Sequence, residues 1–221
     1  MKRFSALPET FYEPSARVVA PRLLGHWLVR RTPEGLAGGP IVETEAYLSD
    51  DPACHAARGL TARNRAMFGP PGRAYVYFIY GCHFCVNAVC RPSGVAEAVL
   101  IRAIEPGAGE PLMRRRRTAS RIADLANGPA RLCQALGINR ELDGADLCDA
   151  RSSLFIAANP ELEAFLEARS PVVTTARVGI TRAADLPLRF YLEGSPGVSR
   201  RAVASRQGRA LSPCDGGVAS V

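Results

Sequence analysis

Charges set inside runs that otherwise read as buried strand constrain this chain more than any other feature. The run "PIVETEAYL" (40–48) is strongly β-like. On a strand Glu43, Glu45 and Tyr47 share one face and Val42, Thr44 and Ala46 the other, so the two carboxylates stand about 7 Å apart. In "AEAVLIRAIEP" (96–106), Arg102 interrupts an apolar run. An unpaired buried charge is expensive, so Arg102 needs a partner, and Glu43 or Glu45 is the obvious one. Asn87, inside "CVNAVC", is a third polar group in apolar company and needs hydrogen bonds. An edge strand with solvated glutamates, or a structural salt bridge, would be written in the same letters. Three such anomalies on neighbouring strands favour a shared polar pocket.

The stretch "YVYFIYGCHFCVN" (75–87) concentrates aromatic residues around one glycine. It reads as a hairpin turning at Gly81. Tyr75 and Tyr77 point one way, Phe78 and Tyr80 the other. Tyr75 and Phe78 suit a core, whereas Tyr80 beside the turn is expected at an exposed tip.

Around these runs the chain reads as one mixed α/β (α+β) domain, residues 10–197, on a curved, largely antiparallel sheet with a projecting hairpin and flanking helices. Residues 17–31 read as a helix passing into a strand, and "TPEGLAGG" as a turn. The segment 49–73 reads as a long loop with short helical pieces. "GEPLMRRRRTASRIADLANG" reads as an exposed helix, and "GPARLCQALGI" as a short helix with Pro129 in its first turn. "SSLFIAA", "ARVGIT" and "PLRFYLEG" are strand candidates. Residues 198–221 are small and polar without periodicity and read as a disordered tail.

The net charge of +7 favours a polyanionic partner, nucleic acid first. Lys2 is the only lysine, which leaves no internal amine for a Schiff base. Seven cysteines include Cys82 and Cys85 at C-x-x-C spacing, but residues three apart on a strand face opposite ways, so buried free thiols fit better than a metal site. No apolar run approaches the roughly 18 residues of a membrane span. Pro8, Glu9, Glu13 and Pro14 interrupt any signal-peptide core. An intracellular protein, cytoplasmic or nucleoid-associated, is expected.

The blocks "IVETEAYL", "ARNRAMFGPPGRAYVYFIYG", "FCVN", "VLIRAIEP", "GPARLCQALGI", "ARVGIT" and "PLRFYLEGSP" follow one another with spacings similar to those of the alkyladenine (3-methyladenine) DNA glycosylase family. The resemblance covers about residues 14–199. It implies Glu45 as the general base that activates water, with Arg102 orienting both. It implies Tyr47 on one face of an extruded base, His55 and Tyr77 on the other, and Asn87 at the pocket floor. Tyr80 would enter the minor groove and fill the vacated stack, and Arg131, where lysine is common, would contact the DNA backbone. Cys82 stands where a bulkier side chain is common, and Gly197 where an aromatic is frequent.

The expected activity is that of a monomeric, monofunctional glycosylase without metal or cofactor. It would hydrolyse the N-glycosidic bond of alkylated or deaminated purines in duplex DNA and leave an abasic site. One rival is a magnesium-dependent nuclease built on Glu43, Glu45 and Asp50 or Asp51. Another is a nucleic-acid-binding module without chemistry, its arginines (Arg114 to Arg117 among them) on phosphates.

Overall fold

The computed structural model describes residues 4–201. Its backbone is an antiparallel sheet of eight strands: β1 (Trp27–Thr32), β2 (Gly35–Tyr47), β3 (Ala74–Ile79), β4 (His83–Cys90), β5 (Glu97–Ile104), β6 (Leu154–Ala157), β7 (Val172–Thr175) and β8 (Arg189–Leu192). The strands run in the order β3-β4-β5-β2-β1-β6, and β8 pairs with both β2 and β7. The helices are α1 (Ala16–Arg22), α2 (Glu110–Arg116), α3 (Pro129–Leu136) and α4 (Leu162–Arg169).

Strand β2 organises the sheet. Its first half pairs with β1 and its second half with β5 on one side and β8 on the other. Register shifts around Glu43 bend the strand where it changes partners. The strand begins earlier than its glycines suggest, because "GLAGG" reads as a turn yet is extended from Gly35 on. Gly38 and Gly39 are there for close approach: a Cβ on Gly39 would lie 1.7 Å from the Glu105 carbonyl oxygen.

Helix α3 covers β4 and β5. Pro129 opens it, Leu132, Cys133, Ala135 and Leu136 are buried, and Gly137 ends it in the left-handed conformation at φ 64°. Each leucine so buried stabilises the fold by about 1.5–3 kcal/mol. Burial of this face brings Pro129 and Ala130, at the start of the helix, beside the aromatic hairpin.

Several expectations are corrected. The arginine-rich segment after Gly109 is helical only to Arg116, since Arg117 is extended and its guanidinium turns to the Asp124 carbonyl. "ARVGIT" is not a strand; β7 precedes it, and residues 176–181 form a loop in which Gly179 has φ 74°. Phe78 is no core residue: it is 42% exposed and packs on Phe84. The expected tail starts too early, because Ser199 is hydrogen-bonded into the sheet; residues 202–221 lie outside the described ones. Among the described residues no helix is long and apolar enough to cross a membrane.

Candidate active site

The site is built on Arg102, in the middle of β5 and opposite β2. Its Nε donates to Glu43 Oε1 at 2.7 Å, and its Nη1 lies 3.1 Å from Glu45 Oε1. Both glutamates are wholly buried. The arginine takes both of its candidate partners rather than one. Burial alone would lower the guanidinium's pKa, but Glu45 and Glu43 outweigh it and hold the group above its ordinary value. The site therefore keeps a fixed cation between two carboxylates.

The two carboxylates differ in what surrounds them. Glu43 accepts four hydrogen bonds, from Arg102 Nε, Arg189 Nε, Ser199 Oγ and the Ser199 N–H. Three of these donors reach Oε1 and one reaches Oε2, and together they enclose the carboxylate. Burial pushes its pKa up, yet Arg102, Arg189 and the Ser199 donors prevail and hold it below the usual carboxylate range. Glu45 accepts from three donors: the Val178 N–H at 2.8 Å, Arg102 Nη1, and the Tyr47 hydroxyl at 3.0 Å. One position on Glu45 stays open, and Glu45, unlike Glu43, lines a cavity of about 370 Å³. That volume falls in the range of small-molecule sites.

Tyr47, His55, Tyr75, Tyr77 and Asn87 line the same cavity, as do Arg102 and the loop residues Val178 to Ile180. The His55 ring meets the Tyr77 ring edge-on at 4.4 Å, and its Nδ1 lies 3.0 Å from the Tyr75 hydroxyl. Partial desolvation of the ring at the cavity wall, and then Arg63, lowers the His55 pKa and so favours the neutral imidazole. Burial raises the phenols of Tyr47 and Tyr77, with Glu45 adding to the first and Cys85 to the second, and pushes Tyr75 up to about 12. All three are donors at working pH. Asn87, paired with Tyr75 across β3 and β4, gives one amide hydrogen to the Tyr75 carbonyl at 3.0 Å.

Tyr80 stands at the hairpin turn, 81% exposed, with φ 54°. Left-handed backbone at a residue other than glycine is strained by roughly 1–2 kcal/mol. The tip thus holds an aromatic ring where the backbone would prefer glycine, and the ring still reaches the cavity mouth. Cys82 beside it is exposed. Arg131 is exposed on the first turn of α3, next to the lining residues Pro129 and Ala130, and its Nη1 donates to Asn127. Of the arginine run, Arg114 is held by Glu110, Arg116 by the Ala135 carbonyl and Arg117 by the Asp124 carbonyl.

Sequence reasoning missed four contributors. Arg189 and Ser199 complete the shell of Glu43. Val178 supplies a backbone donor to Glu45. Arg177, just before it, is buried against Asp51 and lies over the Tyr47 ring at 4.7 Å. Its signal was a charge before an apolar run, hidden by the strand-like look of "VGIT". Asp51 is thereby committed to an arginine and Glu43 to two, which takes two carboxylates from the magnesium reading. No cluster of three metal-ligating side chains occurs among the described residues.

This geometry stands in a chain whose residues 10–196 match the family model described as methylpurine-DNA glycosylase. The chain belongs to that family. Its relatives include proteins provisionally named 3-methyladenine DNA glycosylase. That of Methanoculleus marisnigri is 54% identical over 196 residues, covering 88% of this chain and 99% of the relative. That of Rubrobacter xylanophilus is 52% identical over 172 residues, 78% and 86% of the two chains. That of Carboxydothermus hydrogenoformans is 46% identical over 195 residues, again 88% and 99%. As a DNA glycosylase, the protein is a hydrolase of N-glycosyl bonds that acts on DNA in repair.

Proposed function

We propose that this glycosylase draws a damaged purine out of duplex DNA into the cavity beside Glu45 and hydrolyses its bond to the sugar. One observation carries the reading: Glu45 is a sequestered carboxylate with three donors in place and its one open position beside a ring-lined cavity. A water on that position gives a proton to Glu45 while its oxygen attacks the anomeric carbon. The base departs with the electrons of the N-glycosidic bond. Positive charge that develops on the sugar is stabilised by the carboxylate, as in glycoside hydrolysis. Arg102, 3.1 Å from Glu45 Oε1, keeps the carboxylate oriented.

Tyr47 is the platform on one face of the base, with His55 and Tyr77 on the other and Asn87 at the floor. Stacking returns about 1–3 kcal/mol per base, comparable with the few kcal/mol that unstacking requires. A neutral His55 adds no charge to repel a cationic purine, and the rings attract one by cation–π interaction. Tyr80 fills the gap left in the duplex, Arg131 contacts a phosphate, and the enzyme acts as a monomer. Substrates are of the 3-methyladenine, 7-methylguanine, hypoxanthine and ethenoadenine class. With Lys2 the only lysine, water is the nucleophile and the product is an intact strand with an abasic site.

The test is base release from duplex oligonucleotides, each with one defined lesion, in excess EDTA. Free base should appear from at least one lesion, strands should break only after alkali, and borohydride should trap no adduct. Activity lost in EDTA would restore the nuclease reading. Tight binding with no base released from any lesion would leave a binding module.

A further inference from the structure

The cavity wall has a charged backing that the proposed chemistry does not use. Arg177 and Asp51 are both buried, at 5% and 2% exposure. Arg177 Nη1 and Nη2 engage the two oxygens of Asp51, and Nη1 also donates to the Ala46 carbonyl at 3.0 Å. The guanidinium carbon sits 4.7 Å from the centre of the Tyr47 ring. Tyr47 lines the cavity and Arg177 does not, so the cation addresses the ring from outside the slot. The pair also joins the two loops that flank the slot. Asp51 Oδ1 accepts from the Ala53 N–H in the segment leading to His55, and Arg177 precedes Val178, the donor to Glu45.

A cation on one face of an aromatic ring draws on the same negative quadrupole that a cation on the other face would use. A ring backed by arginine is a poorer platform for a positively charged base than a bare one. Asp51 moderates this by balancing the guanidinium.

We propose that the Arg177–Asp51 pair, acting through Tyr47, is a specificity-determining element that sets how strongly the slot prefers cationic over neutral purines. This rests on Tyr47 being the base platform. Weakening the backing cation favours the cationic lesion; strengthening it favours the neutral one. The two halves of one ion pair therefore act in opposite directions on selectivity, although losing either one breaks the same clasp.

The experiment compares single-turnover release of 7-methylguanine, cationic in DNA, with that of hypoxanthine, neutral in DNA. Both rates come from the same preparation, so their ratio is independent of the fraction folded. Arg177→Met should raise the 7-methylguanine to hypoxanthine ratio about three- to tenfold, and Asp51→Asn should lower it. The double variant Arg177→Met/Asp51→Asn replaces the pair with neutral groups, a change that buried ion pairs often tolerate; it should fold and fall between Arg177→Met and wild type. Ratios that move the same way in both single variants, or stay at the wild-type value in the double variant, would overturn the proposal and leave a structural clasp. Wild type releasing neither base would sink the underlying platform reading instead.

Discussion

Glu43 and Glu45 stand two residues apart on β2 and share Arg102, yet they occupy two different kinds of place. Behind Arg102, Glu43 is enclosed by two guanidiniums and both donors of Ser199. In front of it, Glu45 has three donors and borders the cavity. Residue type and the Arg102 partner are the same; the second arginine on Glu43 and the access of Glu45 to the cavity are not. A carboxylate enclosed by its donors away from the cavity can only hold structure, whereas one with an open position at the cavity wall can take a proton. One arginine thus ties an enclosed carboxylate to one that faces the cavity.

Removing the charge on the closed side should have the largest effect on folding. Glu43→Gln leaves Arg189 buried against a neutral group and Arg102 with Glu45 alone, and breaking a buried pair in this way destabilises by about 3–5 kcal/mol. Chemical denaturation reads this directly. The pH dependence follows the same logic. The folded-state pKa of Glu43 lies below its unfolded value of about 4.3. Its stabilising contribution is therefore present above that pH and is lost as pH falls through the lower folded value. In Glu43→Gln the acid limb of stability should be shallower than in wild type, and an identical limb would mean that Glu43 is not the charge being titrated.

A smaller effect, of opposite sign, is expected at the hairpin tip. Tyr80→Gly removes a side chain from left-handed backbone and should leave stability unchanged or raise it by up to about 1 kcal/mol. Base release from duplex should nevertheless fall, because nothing fills the vacated stack. A variant that loses stability, or that keeps full activity on duplex, would show that the tip ring is there for packing.

The paired charges were legible because burial makes them so: an arginine inside "AVLIRAI" must meet a carboxylate, and β2 offers two. The exposed tyrosine was legible from the turn glycine beside it. Other parts were not, and in each case a tertiary contact overrode a local signal. "ARVGIT" has strand-like residues, but Glu45 takes the Val178 amide that a ladder would have used. "GLAGG" has turn residues, but the glycines admit neighbouring backbones. Ser199 lies in a stretch without periodicity, and its two hydrogen bonds to Glu43 depend on where a carboxylate sits some 150 residues earlier in the chain. The distinction between the two glutamates was out of reach for the same reason, since three of Glu43's four donors come from residues past 188.

The most direct measurement is single-turnover base release by Glu45→Gln beside wild type, on the lesion that wild type releases fastest, with duplex binding measured on the same preparations. Release should drop by at least about a hundredfold, the contribution of a positioned general base, while affinity for the damaged duplex is undiminished. Release near the wild-type rate from a folded, binding-competent Glu45→Gln protein would contradict the assignment of the reaction to the open carboxylate.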